Sequence, residues 1–259
     1  MTAGLRHWGA ADAPAVLLLH ATLAHGGAWK GVAERLADRF HLIAPDMVGH
    51  GRGPAGDRTR DYHDQATEHV AGLLPDAPVH LVGHSFGATI ALRLAMEHSP
   101  RVLSLTLVEP VLFAAAPDSP EKRANAERLG AMSRMVAEGD SRGAARDFLS
   151  TWGAGEDFDA LPEAQAARMA DRMWIIGAQR AALHRDGARL LPRLADVSCR
   201  VLLMRGTASP PVIGQILDGL QDGLHRVRRA VIHGAGHMAP ITHPDLVAEE
   251  IGAFLDTAR

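Results

Sequence analysis

The sequence predicts an α/β fold: a mostly parallel central sheet with helices on both faces and an inserted helical cap. Three observations predict it. Short apolar runs alternate with helical patterns along most of the chain. The runs are apolar at consecutive positions, as in strands buried on both faces, and strand-helix alternation is the pattern of a parallel sheet covered on two sides. Residues 113–196 break this rhythm, carrying helical spacing and no strand pattern.

The expected strands are AVLLLH (15–20), HLIAPD (41–46), VHLVGHS (79–85), VLSLTLVEP (102–110), RVLLMRG (200–206) and RRAVIHGAG (228–236). Helices are expected between and after them, at about 28–38, 62–74, 86–98, 211–222 and 244–257. Pro244 opens the last one, where its fixed φ suits a first helical position. In the insertion, EKRANAERLGAMSRMVAEG and EAQAARMADRMWIIGAQRAAL place Ala, Arg, Met and Leu at helical intervals. Pro117, Pro120, Gly153, Gly155, Pro162 and Pro192 punctuate it. The domain reading is a core of residues 1–112 and 197–259 with a cap over 113–196. Such an insertion hangs from the strand ends where open parallel sheets bind ligands; the plainer alternative is an enlarged core.

Composition excludes other classes. The 259 residues are 47% hydrophobic and 22% charged, an ordinary balance for one globular unit. A formal charge of -3 and scattered Lys and Arg give no basic field for nucleic acid. The N-terminal stretch lacks a basic segment followed by a long apolar one, so a soluble, cytoplasmic protein without membrane partners is expected. The single cysteine, Cys199, excludes an internal disulfide.

Gly83-His84-Ser85-Phe86-Gly87 lies after an expected strand and before an expected helix. That context separates a nucleophile elbow from a chance Gly-x-Ser-x-Gly match: small residues allow the sharp turn, and the serine projects above the sheet at a helix N-terminus. The bland reading is a helix-capping serine among glycines. With LLLHATLAHGGAW, APDMVGHGRGP and GAGHMAP, the elbow makes the chain resemble the α/β-hydrolase superfamily, in particular its capped esterases, meta-cleavage-product hydrolases and cofactor-free haloperoxidases. The resemblance covers nearly the whole chain. It departs at the N-terminus, where only one strand fits, at about residues 4–8, in place of the usual first hairpin.

The resemblance implies a triad in chain order serine, acid, histidine. His237, within Gly234-Ala235-Gly236-His237-Met238, stands after the last strand, where the family keeps its base. A metal cluster with His233 and His243 is disfavoured, since the HExxH pattern is absent; His243 reads as a contact near a helix start. The family's oxyanion hole uses the N–H after the serine, here Phe86, and one from the loop after an early strand. His25-Gly26-Gly27 is a tempting candidate for that loop. However, AVLLL leads directly into His20, and Trp29 follows at the family's nine-residue distance, which aligns Thr22 with the second donor. Asp46 and GHGRGP resemble a phosphate cradle only loosely, because Pro54 stands where a helix should begin. His50 and His84 read as loop scaffolding or pocket lining.

The acid is the irregular member. After RVLLMRG, where related hydrolases keep an aspartate, this chain has Thr207-Ala208-Ser209. Asp218 belongs inside a helix and Asp196 before the strand. Glu109 ends LTLVEP at the carboxyl edge of the strand that, in the resembled fold, lies between the nucleophile strand and the one ending at Gly206. Some α/β-hydrolases carry the acid there, and a glutamate adds reach. Glu109 is therefore the expected acid, against a local role at the hinge of the insertion or another acid elsewhere.

The expected function is a cofactor-independent serine hydrolase: Ser85 as nucleophile, His237 as base, Glu109 as acid, Thr22 and Phe86 as oxyanion donors. A serine at position 85 argues against the alkyl-enzyme chemistry of related epoxide hydrolases and dehalogenases. A small ester or lactone is the first substrate class, carbon-carbon cleavage of a dienoate the second, and a noncatalytic ligand-binding protein the rival from outside enzymology. Perhydrolase or haloperoxidase-like side activity would leave the same marks. Trp152, Trp174, Phe148 and Phe158, with Met132, Met135, Met169 and Met173, form an apolar set at helical spacing in the insertion. Most of these are expected in the core, with a few facing ligand.

Overall fold

The computed structural model describes residues 4–257. Seven strands form one sheet: β1 (Leu5–Trp8), β2 (Ala15–Leu19), β3 (His41–Pro45), β4 (Val79–His84), β5 (Val102–Val108), β6 (Arg200–Gly206) and β7 (Val227–Ile232). Their order across the sheet is β1-β3-β2-β4-β5-β6-β7. Only β1 runs antiparallel, pairing Leu5 with Pro45 and Trp8 with Leu42. The other pairs are parallel, so β2, β4, β5, β6 and β7 all end at one edge.

Consecutive apolar residues are explained by two cores, one per face. Leu17 and Leu19 point into the core shared with α2 (Tyr62–Ala71), α3 (Phe86–Glu97) and α9 (Pro211–Gly223). Val16 and Leu18 point the other way, toward α1 (Lys30–Leu36) and α11 (Pro244–Asp256). All four are fully buried, each stabilising the fold by roughly 1.5–3 kcal/mol relative to an exposed side chain. A period-2 alternation would leave one of these faces without a core.

Between β5 and β6 the regular structure is helical: α4 (Pro120–Ala137), α5 (Ser141–Trp152), α6 (Glu163–Asp171), α7 (Trp174–Ala178) and α8 (Arg180–Arg185). Ser119 caps α4 by accepting from Lys122 N–H with Pro120 at the first turn, and Asp140 caps α5 through Gly143 N–H. α4 packs on α5 and α7, and α5 on α6. Met132, Met173 and Phe158 are buried there, Trp152 is buried and borders a cavity, and Phe148 and Met169 face the same cavity. A short α10 (Ala239–Thr242) precedes α11. Among the described residues, no helix is long and apolar enough to cross a membrane.

Three strands stop before their apolar runs do. β2 ends at Leu19, β4 at His84 and β5 at Val108. The next residues, His20, Ser85 and Glu109, leave the ladder at the carboxyl edge. Ser85 and Glu109 do so with positive φ, 56° and 51°, which side chains other than glycine rarely adopt. These departures build the site.

Candidate active site

Ser85 sits between β4 and α3 with φ 56° and ψ −119°, a strained conformation held by its surroundings. Its N–H donates to Val108 O at 2.9 Å. Two glycines make the turn possible. A Cβ on Gly83 would lie 2.4 Å from Gly87 O, and one on Gly87 would lie 2.5 Å from Leu19 O and 2.6 Å from His20 O. The start of α3 is thereby pressed against the end of β2, bringing Phe86 and the loop after His20 to one place.

His237 follows β7 and is 5% exposed. Ser85 Oγ lies 2.9 Å from its Nε2, and Glu109 Oε2 lies 3.1 Å from its Nδ1. The fully buried Glu109 carboxylate accepts two further bonds at Oε1, from Gly206 N–H and from the Ser209 hydroxyl, both at 2.6 Å. A buried carboxylate is costly unless its lone pairs are satisfied, and here three donors converge on it. The Glu109 backbone N–H is tied to Met204 O at 2.9 Å, so β6 fixes both ends of the residue. This arrangement fixes the tautomer: Nδ1 donates to the carboxylate and Nε2 accepts from serine.

His84 donates from Nε2 to His237 O at 2.8 Å and packs beside its ring. Burial, with the neighbouring His237, pushes the His84 pKa down to about 3, so it is a neutral brace. Trp152 approaches His237 edge to face at 4.7 Å between ring centres. His20 receives Met47 N–H at Nε2, and His50 receives Leu23 N–H at Nε2; both brace loops. Burial holds His20 well below its ordinary value and brings His50 to about 4. His243 bonds Thr242 Oγ1 at the start of α11.

Ala24 N–H donates to Ala21 O, closing a turn over Ala21–Ala24 with Leu23 at φ 62°. Thr22 lies in this turn and lines the cavity beside Ser85. Phe86 is the first residue of α3, so its N–H has no acceptor within the helix. The Gly26 and Gly27 N–H groups are engaged elsewhere, the first on Asp46 Oδ1 and the second on His25 Nδ1. Asp46 also accepts from Arg6 and from Arg52 N–H. A Cβ on Gly51 would lie 2.1 Å from Asp46 Oδ2, so the GHGRGP turn is filled by its own aspartate. Asp218 pairs with Arg229 and Asp196 with Arg193, both in exposed positions.

Two cavities meet at Ser85. The outer one, about 420 Å³, opens between the Ala21–Ala28 loop, Phe148, Trp152, Met169 and Ile241. The inner one, about 40 Å³, runs beneath the helices and is lined by Phe113, Ser133, Gln179, Leu183 and His184. Thr22, Ser85, Phe148, Trp152 and His237 line both. Sequence reasoning missed Gln179, Ser133 and His184. The one signal for Gln179 was a lone amide inside the apolar run WIIGAQRAAL.

The model of the alpha/beta hydrolase family matches residues 16–250. The chain belongs to that family. It is a hydrolase whose named relatives diverge in substrate. Over 256 residues it is 30% identical to a pimeloyl-[acyl-carrier protein] methyl ester esterase of Methylococcus capsulatus, a match covering 93% of this chain and 94% of that one. Over 255 residues it is 23% identical to an (E)-2-((N-methylformamido)methylene)succinate hydrolase of Acinetobacter baylyi, covering 93% and 90%. Among solved structures, the enol-lactonase of Burkholderia xenovorans superimposes with a TM-score of 0.76 at 21% identity, covering 97% of this hydrolase and 95% of that chain. At that identity the match speaks for the fold alone.

Proposed function

We propose that this hydrolase cleaves a small carboxylic ester or lactone through an acyl-enzyme. The observation that carries the reading is the continuous hydrogen-bonded chain from Ser85 Oγ through His237 to the buried Glu109. Ser85 Oγ attacks the carbonyl carbon while its proton passes to His237 Nε2; Glu109 holds the ring and stabilises its positive form. The N–H groups of Thr22 and Phe86 take the oxyanion, and the proton on Nε2 goes to the departing alkoxide. Water, deprotonated by the same histidine, then releases the acid.

The full-length likeness to a named esterase supports the ester class. The helices of 113–196 act as a cap whose underside walls both cavities, on a core of 1–112 and 197–259. That relative's name specifies a carrier-borne ester. Here the cap arginines Arg128, Arg142 and Arg146 are each paired with a carboxylate, Asp147, Glu163 and Asp159. These three guanidinium groups are thus already engaged, which favours a free small molecule over an acidic carrier.

The test is p-nitrophenyl acetate hydrolysis with fluorophosphonate labelling, on the wild type and Ser85→Ala. Burst kinetics and stoichiometric labelling in the wild type, both abolished in the variant, are expected. An unlabelled wild type without turnover overturns the reading in favour of a noncatalytic binding protein.

A further inference from the structure

Gln179 lies at the junction of α7 and α8, is 3% exposed, and spends only half of its amide. The Thr22 hydroxyl donates to its Oε1 at 3.0 Å across 157 residues of sequence, which leaves the Nε2 group without a partner. A buried amide N–H₂ with no acceptor forfeits its hydration without compensation. Native cores seldom retain such a group unless something else satisfies it. Gln179 lines the inner cavity and is absent from the lining of the outer one.

The rest of the inner cavity is mainly apolar and narrow. Val111, Phe113, Leu129, Ile176 and Leu183 line it, and His184 stacks on Phe113 with ring centres 4.7 Å apart. The Ser133 hydroxyl already donates to Leu129 O. Burial, with Arg180 and Lys122 nearby, brings the His184 pKa down to about 4, so that ring is neutral at pH 7. Among the described residues Arg180, at the lining, makes no ion pair, and it adds a positive potential. Walls of this kind hold a short chain, and the unspent donors reward an acceptor on it.

We propose that Gln179 selects the acyl group: the inner cavity takes a short acyl chain bearing an oxygen acceptor, such as a keto group, which the Gln179 Nε2–H groups bind while the alcohol portion leaves through the outer cavity. The proposal rests on the ester-hydrolase reading and narrows its substrate class. Discrimination follows from the asymmetry of polar pockets. An analogue lacking the oxygen leaves a buried donor unpaired, and so loses more than the bond itself is worth. Thr22, bonded to Oε1, links this recognition to the turn beside Ser85.

The test compares two pairs of p-nitrophenyl esters matched in length: 4-oxopentanoate against pentanoate, and 5-oxohexanoate against hexanoate. Each kcat/KM is normalised to the ester's hydroxide-catalysed rate. The expected wild-type preference for at least one oxo ester is on the order of tenfold. Two variants accompany it. Gln179→Leu removes the donors, and Gln179→Glu removes them while keeping the acceptor for Thr22, which supplies the measurement if the leucine variant does not fold. The readout is the ratio within a pair, in which any loss through displacement of Thr22 cancels. A ratio collapsing to about one in a folded variant supports the role. A wild-type ratio near one for both pairs, or one unchanged by substitution, overturns it with the hydrolase reading intact. If no ester is turned over and Ser85 is not labelled, both readings fall together.

Discussion

The Ser209 hydroxyl donates to Glu109 Oε1 at 2.6 Å. The residue standing where the family resemblance leads one to expect an aspartate is therefore a hydrogen-bond donor to the carboxylate one strand away. β5 and β6 are adjacent and parallel, with Val108 opposite Met204, so Glu109 and the turn carrying Ser209 leave the sheet at the same edge, from strands one spacing apart. Oε2 remains for His237.

Glu109→Gln should fold and lose roughly 10²- to 10⁴-fold in kcat. Gly206 N–H and the Ser209 hydroxyl both point at Oε1, which will hold the amide oxygen there and turn the N–H₂ toward His237 Nδ1. That presents a donor to a donor and favours the tautomer whose Nε2 cannot accept from Ser85. Steady-state kinetics with circular dichroism checks it; a folded variant of wild-type activity would make Glu109 structural.

Adding Ser209→Asp to Glu109→Gln should restore part of that loss, at least about tenfold, because it returns a carboxylate to the other strand end. Ser209→Asp alone should lower activity, since two carboxylates within hydrogen-bond distance repel and one tends to take up a proton. The four kcat values form a double-mutant cycle. Additive losses would rule out the idea that the two positions serve one histidine.

Gly87→Ala should impair catalysis more than folding. Its Cβ meets two backbone carbonyls, Leu19 O and His20 O, which have no flexible end to swing aside. Relief of the overlap must shift the start of α3 from the end of β2, separating Phe86 from Thr22. A cost of about 1–3 kcal/mol in urea unfolding is expected, with a larger fall in kcat than in ground-state affinity. Unchanged kcat in a folded variant would argue against these two N–H groups acting together.

Acid should weaken the fold before it protonates ordinary carboxylates. Burial brings His50 to about 4, His63 to about 3 and His84 to about 3, all from 6.5. Between those values and 6.5 the unfolded chain binds protons that the folded chain refuses, so stability is complete above about pH 6.5 and falls as pH drops toward 4. Each histidine should cost about 1.4 kcal/mol by pH 5.5. Urea denaturation at pH 7.5 and 5.5 tests this, and coincident free energies would show that these rings gain their protons without unfolding.

The strand runs, the helix intervals and the elbow were legible because each is local. A strand buried on both faces must be apolar throughout, and a strand-to-helix turn around a serine needs small residues on either side. His237 was legible by its place after the last run. Strand ends were less so: VLSLTLVEP reads as one apolar segment, but the ladder stops at Val108 because Glu109 turns to a positive φ that periodicity does not encode.

By itself the sequence determined an α/β hydrolase core, the serine at its elbow and the absence of an acid from the turn directly after β6, since these follow from residue type and short spacing. Only the tertiary structure decided what stands beside what. Register between β5 and β6 set Glu109 against Ser209 and Gly206. Packing of α7 and α8 over the sheet edge carried Gln179 to Thr22, 157 residues away. Pairings at that separation depend on sheet order and helix docking, and thus on burial summed over the whole molecule, which no short stretch of chain specifies.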